Sequence, residues 1–413
     1  MKIRLPYGGQ YQHFDTDDFR PLLTFGGSYN CKFPKPMSLS AIESKINDGL
    51  NSLKVNFNHA KVLTVVNDGY RRTPTAELLP IVWDYVKNGD FIVATGTHRR
   101  PTESELHAIF GQLYDKIKPR LYIHDCYDND SLLEFGWTSY GTPVYLNRKI
   151  AEADIIFTIN SVEPHFFAGF TGGRKSLIPG LAGFETVQKN HRFAKDINAT
   201  SLSLNSNPLH LDLEEGIRLI GNKVIITIQC ITDRDGRMLD LFVDKLNEAF
   251  MRACVCAEEC YAIELPKKFD VVIACCDQPL DSNLYQLQKA QEHGGRMVNT
   301  GGVLITMGAC PEGTGSDYFM KLADKYPTPK SVLTEGINDD SFGIHKLIKT
   351  ARQLQRFKVF YVTTLDDHQV EKVYFKSFKD IKTAVEAAMK EFNNKFELAV
   401  LEDAGYSVPV IKP

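Results

Sequence analysis

Short apolar runs rich in valine and isoleucine recur along this chain with helical stretches between them, and that alternation constrains the fold more than any other feature. The runs are KVLTVV from Lys61, FIVAT from Phe91, DIIFTI from Asp154, KVIITI from Lys223, FDVVIACC from Phe269 and GGVLITM from Gly301. Runs of this kind suit strands buried on both faces, so the expected class is α/β, with mostly parallel sheets flanked by helices. At 413 residues the chain exceeds one compact core, and two such domains are expected. Composition shifts at Leu265 to Lys268, where PKK follows a cysteine-rich helix. That shift places the boundary between residues 1–265 and 266–413, with the site in the cleft between them and the tail SVPVIKP docking back on the first domain.

Charge and cysteine content exclude several classes of function. Lys and Arg number 48 against 51 Asp and Glu, and this net charge of -3 lacks the positive excess that phosphate-backbone binding requires. Nucleic acid is not an expected partner. No apolar run reaches the roughly 18 to 20 residues that cross a bilayer, and MKIRLPYGGQYQHFD has no apolar block of signal-peptide type. No membrane partner and a cytoplasmic location are expected. The nine cysteines are an odd number and do not suit a secreted disulfide framework, so reduced thiols are expected. Cys254, Cys256 and Cys260 lie in an amphipathic helical pattern without a fourth cysteine at cluster spacing, which favours packing over metal binding.

In parallel sheets ligands bind beyond the carboxyl ends of the strands. Three polar loops leave strands there: NDGYRRTPT (Asn67 to Thr75), GTHRRPTESE (Gly96 to Glu105) and NSVEPHFFAGFTGGRK (Asn160 to Lys175). One shared pocket is the economical expectation. Thr102 followed by Glu105 also has the pattern of a helix capping box. His98, His124, His165 and His191 lie in or close after these loops, and histidine exchanges protons near neutrality or ligates metal. His124 stands beside Asp125 and reads as a local structural hydrogen bond.

The segment EPHFFAGFTGGRKSLIPGLAG is the most unusual of the chain. Gly169, Gly172 and Gly173 leave backbone amides uncovered, as a phosphate or closely approached cofactor requires, and Arg174 and Lys175 add cations. Arg174 interrupts Gly-Lys, so the segment is not a P-loop. A desolvated Lys175 is also a usable nucleophile for covalent attachment. Further on, YQLQK puts Tyr285 and Lys289 on one helix face with Gln286 adjacent, and GACPEGTGSDYF is a second glycine-rich loop. Each feature alone has a structural alternative: a histidine satisfying carbonyls, a glycine turn with solvated cations, an ordinary helix face.

Together the segments resemble the lactate racemase family, enzymes that carry a nickel-pincer nucleotide. The resemblance rests on LPYG at Leu5 to Gly8, DGYR at Asp68 to Arg71, GTHR at Gly96 to Arg99, EPHFFAGFTGGRKSLIPG from Glu163, NH at Asn190 and His191, and YQLQK at Tyr285 to Lys289. It implies a cofactor-binding, catalytic N-terminal domain holding nickel in pyridinium-3,5-bisthiocarboxylic acid mononucleotide, attached to Lys175 through a thioamide. His191 would be the one protein ligand to nickel. His98 and His165 would be general base and acid. Asp68, Gly69, Tyr70, Arg71, Gly172, Gly173 and Gln286 would hold the cofactor, with Arg71, Arg72, Tyr285 and Lys289 against the substrate. Phe342 and His345 are candidates for an aromatic wall that relatives have near the cofactor.

The implied reaction inverts the α-carbon of a 2-hydroxy acid. Proton removal from that carbon would place a second negative charge beside the carboxylate, whereas hydride transfer to the cofactor gives a 2-keto acid, to which hydride returns from the opposite face. Two histidines are then needed, each serving as base for one enantiomer and acid for the other. Supply by cofactor-biosynthesis proteins is implied as well. One departure from the family pattern bears on substrate: Asp68, Gly69, Tyr70, Arg71, Arg72 stand where relatives commonly have Asp-x-Thr-Arg-Pro. A dicarboxylic or polyhydroxylated acid is therefore expected in place of lactate. Epimerisation of a sugar acid at C2 remains open, as do a zinc hydrolase using His98, His165 and His191, and an idle cofactor carrier.

Overall fold

A computed structural model describes residues 2–15, 22–25, 34–71, 73–233, 235–393 and 395–411. Arg72 and Cys31 lie outside the described residues. The chain divides into two compact units, Phe33–Cys260 and, together, Met1–Lys32 with Tyr261–Pro413. Both are α/β, as the strand and helix alternation predicts.

In the first unit a six-stranded sheet runs in the order Met238–Lys245, Val224–Thr232, Ile155–Ser161, Val62–Asn67, Asp90–Ala94, Leu121–Ile123. Met238–Lys245 pairs antiparallel with its neighbour, and every other pairing is parallel. Chain order thus winds outward from Val62–Asn67 in one direction and then resumes at Ile155–Ser161 in the other. The two strands flank a topological switch point, where the loops after them diverge and leave a crevice. Side chains alternate across each strand. Ile155, Phe157, Ile159, Ile226 and Ile228 face the helices Leu39–Leu53, Thr75–Val86 and Glu103–Phe110 in one apolar core. Thr158, Asn160, Thr227 and Gln229 lie on the other face, and all four are fully buried.

The second unit contains a parallel sheet in the order Lys376–Phe378, Lys358–Val362, Val298–Met307, Phe269–Cys275, Leu398–Leu401, Leu22–Phe25. Leu22–Phe25 is one of its two edge strands, and Leu5 and Phe14 of the hairpin Lys2–Tyr7 and Gln10–Asp15 enter its core. These pairings put the start of the chain with the later unit, which the expected division at 1–265 does not. The tail returns to residues 262–265, which the expected division counts in the first domain. Val408–Ile411 pairs in parallel with Ala262–Leu265, inside the second unit. Both partners are remote in sequence, and a short strand carries no local mark of the strand it will pair with.

Cys254 and Cys260 are buried in the helix Leu246–Tyr261, in keeping with packing. Among the described residues no helix is long and apolar enough to cross a membrane. The helix Glu103–Phe110 begins with the expected capping box: Thr102 Oγ1 accepts from Glu105 N–H at 3.3 Å, and Glu105 Oε2 accepts from Thr102 N–H at 2.6 Å. Thr102→Ala is expected to destabilise the first unit by about 1 kcal/mol in urea unfolding, with no change in the denaturant slope.

Candidate active site

Asp68 and His98 leave the ends of adjacent strands and meet. His98 Nδ1 is 2.6 Å from Asp68 Oδ2, with the carboxylate side chain 5% exposed and the imidazole 29%. An ionised Asp68 can only accept, so the neutral ring carries its proton on Nδ1 and presents the Nε2 lone pair. Asp68 Oδ1 accepts from Tyr70 N–H at 3.2 Å, and the Tyr70 ring lies 4.6 Å from the His98 ring. Arg71 N–H donates to Asp68 O at 3.2 Å, closing the DGYR turn. Gly69 faces Glu105, which binds Arg99 through both oxygens at 2.7 and 2.8 Å. Arg99 is the largest influence holding the Glu105 carboxyl down at about 2.

A second group forms around one aromatic ring. His165 sits in the short hairpin Pro164–His165 and Gly169–Phe170, where Gly169 has φ +79° and an added Cβ would stand 2.2 Å from Ser203 O. The Phe167 ring lies 4.5 Å from the His165 ring and 5.1 Å from the His191 ring, and Lys175 Nζ lies 5.5 Å from its centroid. Three residues expected to carry function therefore converge on Phe167. Asn207 Nδ2 fixes that turn by donating to Phe167 O at 2.9 Å. Ala168 N–H donates to His165 Nδ1 at 3.3 Å, so the neutral His165 carries its proton on Nε2, the reverse of His98. His191 ends the helix Phe184–His191, held by Asn190 Nδ2 donating to Asp212 Oδ2 at 2.7 Å.

The glycines and cations of the same segment have separate partners. Gly173 N–H donates to Gln229 Oε1 at 3.0 Å, so it cannot also cradle a phosphate. A Cβ on Gly173 would stand 2.3 Å from Phe250, and one on Gly172 2.7 Å from both Gln229 and Val162. Close packing accounts for both glycines. Arg174 is buried and turned from Lys175's partners: it pairs with Glu214 at 2.6 Å, donates to Asn247 at 3.0 Å and stacks 4.5 Å over Phe250. Only Lys175 of the two cations faces Phe167. Stitching between loops is direct, since Thr73 Oγ1 donates to Ser161 Oγ at 3.1 Å and Gly96 N–H donates to Gly180 O at 3.0 Å. The three loops expected to share a site are thus joined at one sheet edge.

Comparison with known proteins bears on the same segments. Residues 33–201 match the model of the lactate racemase N-terminal domain, and residues 266–410 match that of the lactate racemase C-terminal domain. The chain belongs to the lactate racemase family. The lactate racemase of Thermoanaerobacterium thermosaccharolyticum is 27% identical over 427 residues, covering 99% of each chain, and that of Lactiplantibacillus plantarum is 26% identical over 83% of each. The structure of the lactate racemase apoprotein from Thermoanaerobacterium thermosaccharolyticum superposes with a TM-score of 0.85 at 26% identity, covering 100% of both chains. A Thermotoga maritima protein at 18% identity, TM-score 0.70 and coverage of 92% of this chain and 100% of its own shares the fold.

The donor set fits the family's cofactor. Among the described residues no three His, Cys, Asp or Glu side chains converge to hold a metal ion, so three-imidazole zinc coordination by His98, His165 and His191 is not formed. One imidazole and one lysine about a shared aromatic ring suit a metal whose other ligands arrive with an organic group. In the second unit, Tyr285, Gln286 and Lys289 lie on the helix Leu284–Gly294, capped by Asn283. Buried Lys346 donates to Tyr285 O at 2.6 Å and sits 3.9 Å over the Tyr285 ring, with burial pushing its ammonium pKa well down. His345 is buried in the helix Ile344–Leu354, whereas Phe342 is partly exposed before it. His124 is structural, as expected, though it bonds Ala182 O at 3.0 Å and not Asp125.

Sequence reading missed Phe167, Asn160 and Gln229. A signal was present for the last two, because Thr158-Ile159-Asn160 and Thr227-Ile228-Gln229 repeat one pattern at the ends of two strands. Beside Arg174, His210 is buried, and burial first and Arg174 second push its imidazole down to about 3. A histidine held neutral below its ordinary value of 6.5 gives stability that is complete above that value and declines as pH falls from 6.5 toward 3. Arg174→Met is expected to make that decline shallower in pH-dependent unfolding. At neutral pH the same variant should cost about 1–3 kcal/mol, because partly exposed Glu214 loses its nearest partner and keeps only Arg218 at 3.8 Å and His210 at 3.5 Å.

Proposed function

We propose that the chain is a racemase or epimerase of 2-hydroxy acids using a nickel-pincer nucleotide tethered to Lys175. The observation that carries the reading is the convergence of His165, Lys175 and His191 on the Phe167 ring. Lys175 would hold the nucleotide and His191 would ligate its nickel; when bound, the group supplies a reversible acceptor for the hydrogen of the α-carbon. His98, with its proton on Nδ1 against Asp68, offers Nε2 to the substrate hydroxyl as a base. His165, whose Nδ1 accepts from Ala168 N–H, offers a proton on Nε2. Proton balance requires one ring neutral and the other protonated at the start of each direction, so His165 would act as acid from its imidazolium with the Ala168 N–H bond released, and the two rings would exchange charge states in the reverse direction. Arg71 would fix the substrate carboxylate, a role that bidentate arginine suits.

Substrate choice follows from Tyr70. Its ring lies 4.6 Å from the His98 ring, tilted by 55°, at a position where the family pattern has a smaller residue, and Arg72 follows directly after Arg71. The favoured substrates are dicarboxylic or polyhydroxylated 2-hydroxy acids, sugar acids included. Protein made together with the cofactor-synthesis proteins and nickel, then offered a panel of such acids and lactate, should interconvert the larger acids faster. Failure with every acid, by protein that shows the adduct on Lys175 in its intact mass, would refute the assignment. In deuterium oxide the product should keep protium on the α-carbon, since hydride transfer does not exchange with solvent. Asp68→Asn should lower kcat/KM by about 100-fold or more, and by the same factor from either stereoisomer because the overall equilibrium is unchanged.

A further inference from the structure

We propose that Asn160 and Gln229 are positioning residues for Lys175, a role that rests on reading Lys175 as the attachment point. Thr158 and Asn160 on one strand stand in register with Thr227 and Gln229 on the next, and all four are fully buried. Thr158 Oγ1 donates to Thr227 Oγ1 at 2.6 Å, Asn160 Nδ2 donates to Thr158 Oγ1 at 2.8 Å, and Gln229 Nε2 donates to Thr227 Oγ1. Two acceptors remain and both reach the glycine-rich loop. Gln229 Oε1 takes Gly173 N–H at 3.0 Å, and Asn160 Oδ1 takes the Ser176 hydroxyl.

Those two loop residues bracket Lys175, one two positions before it and one directly after. Lys175 N–H donates to Gly172 O and its carbonyl accepts from Gly180 N–H, both at 3.0 Å, so the backbone between the two anchors closes on itself. The face of a parallel sheet is ordinarily apolar, and four buried polar side chains are costly there unless each finds its partners. Apolar residues of similar size would pack the same space. What they would not do is fix the register of the loop, and a reacting group displaced by about 1 Å costs on the order of 100-fold in rate. The set therefore transmits the rigidity of the sheet to the ammonium of Lys175.

The test compares Gln229→Met, Asn160→Leu and the fourfold variant Thr158→Val, Asn160→Leu, Thr227→Val, Gln229→Met with the parent chain. The fourfold variant removes every polar member at once, leaves none unsatisfied within the sheet and keeps the core filled. Gln229→Glu keeps an acceptor for Gly173 N–H while giving up the Nε2 donor to Thr227 Oγ1, so it separates the loop anchor from the bond within the sheet. In the full chain without cofactor, labelling by trinitrobenzenesulfonate is followed across pH at Lys175 and at exposed Lys54 by peptide mass. The Lys175-to-Lys54 rate ratio should shift by about tenfold in the apolar variants and by less than about threefold in Gln229→Glu. In chains produced with the cofactor-synthesis proteins and nickel, the fraction of Lys175 carrying the adduct should fall by about tenfold. A labelling ratio and pH profile unchanged within about twofold, in variants that unfold cooperatively, would overturn the proposal. If the parent chain itself carries no adduct, the attachment reading fails, while the labelling ratio still decides whether the two residues place Lys175.

Discussion

The bond from Gly173 N–H to Gln229 Oε1 shows how the rest of the site is held. It ties an irregular, glycine-rich loop to a central strand of the sheet, and it does so from a side chain with no access to water. An unpaired amide buried at this depth would cost about 1–3 kcal/mol, so the loop has one arrangement in which its donors are satisfied. Gly172 and Gly173 permit that arrangement because their positive φ angles of 72° and 53° would strain other residues and because any Cβ would strike Gln229 or Phe250. Glycine here serves close approach of chain to chain.

From that anchor the two neighbouring cations separate. Arg174 goes to Glu214, Asn247 and the face of Phe250, where its planar head can stack and donate in several directions at once. Lys175 goes to Phe167, alongside His165 and His191. A rigid bidentate cation suits the structural position, and a slender primary amine suits the covalent attachment proposed for Lys175. The order Arg-Lys is therefore not interchangeable.

The two histidines assigned to proton exchange are set in opposite senses. A buried carboxylate orders the His98 ring from one nitrogen, and a backbone amide orders the His165 ring from the corresponding nitrogen. A carboxylate partner also stabilises an imidazolium, whereas an amide donor does not. Without any difference in residue type, the surroundings thus distinguish a ring suited to accept a proton first from one suited to give it.

Strand positions, the three polar loops and the Thr102–Glu105 capping box were legible from the residues because they depend on period and on partners three positions away. The family resemblance was legible because long motifs stand in order, and the candidate residues His98, His165, Lys175 and His191 came with it. Other features depend on partners far away in the chain. Leu22–Phe25 joins Leu398–Leu401, Arg174 finds Glu214, and Gln229 finds Gly173 across 56 positions. A sequence states which groups must be satisfied; only folding decides which remote group meets each one, since that choice is set by strand order and by the space left between packed faces.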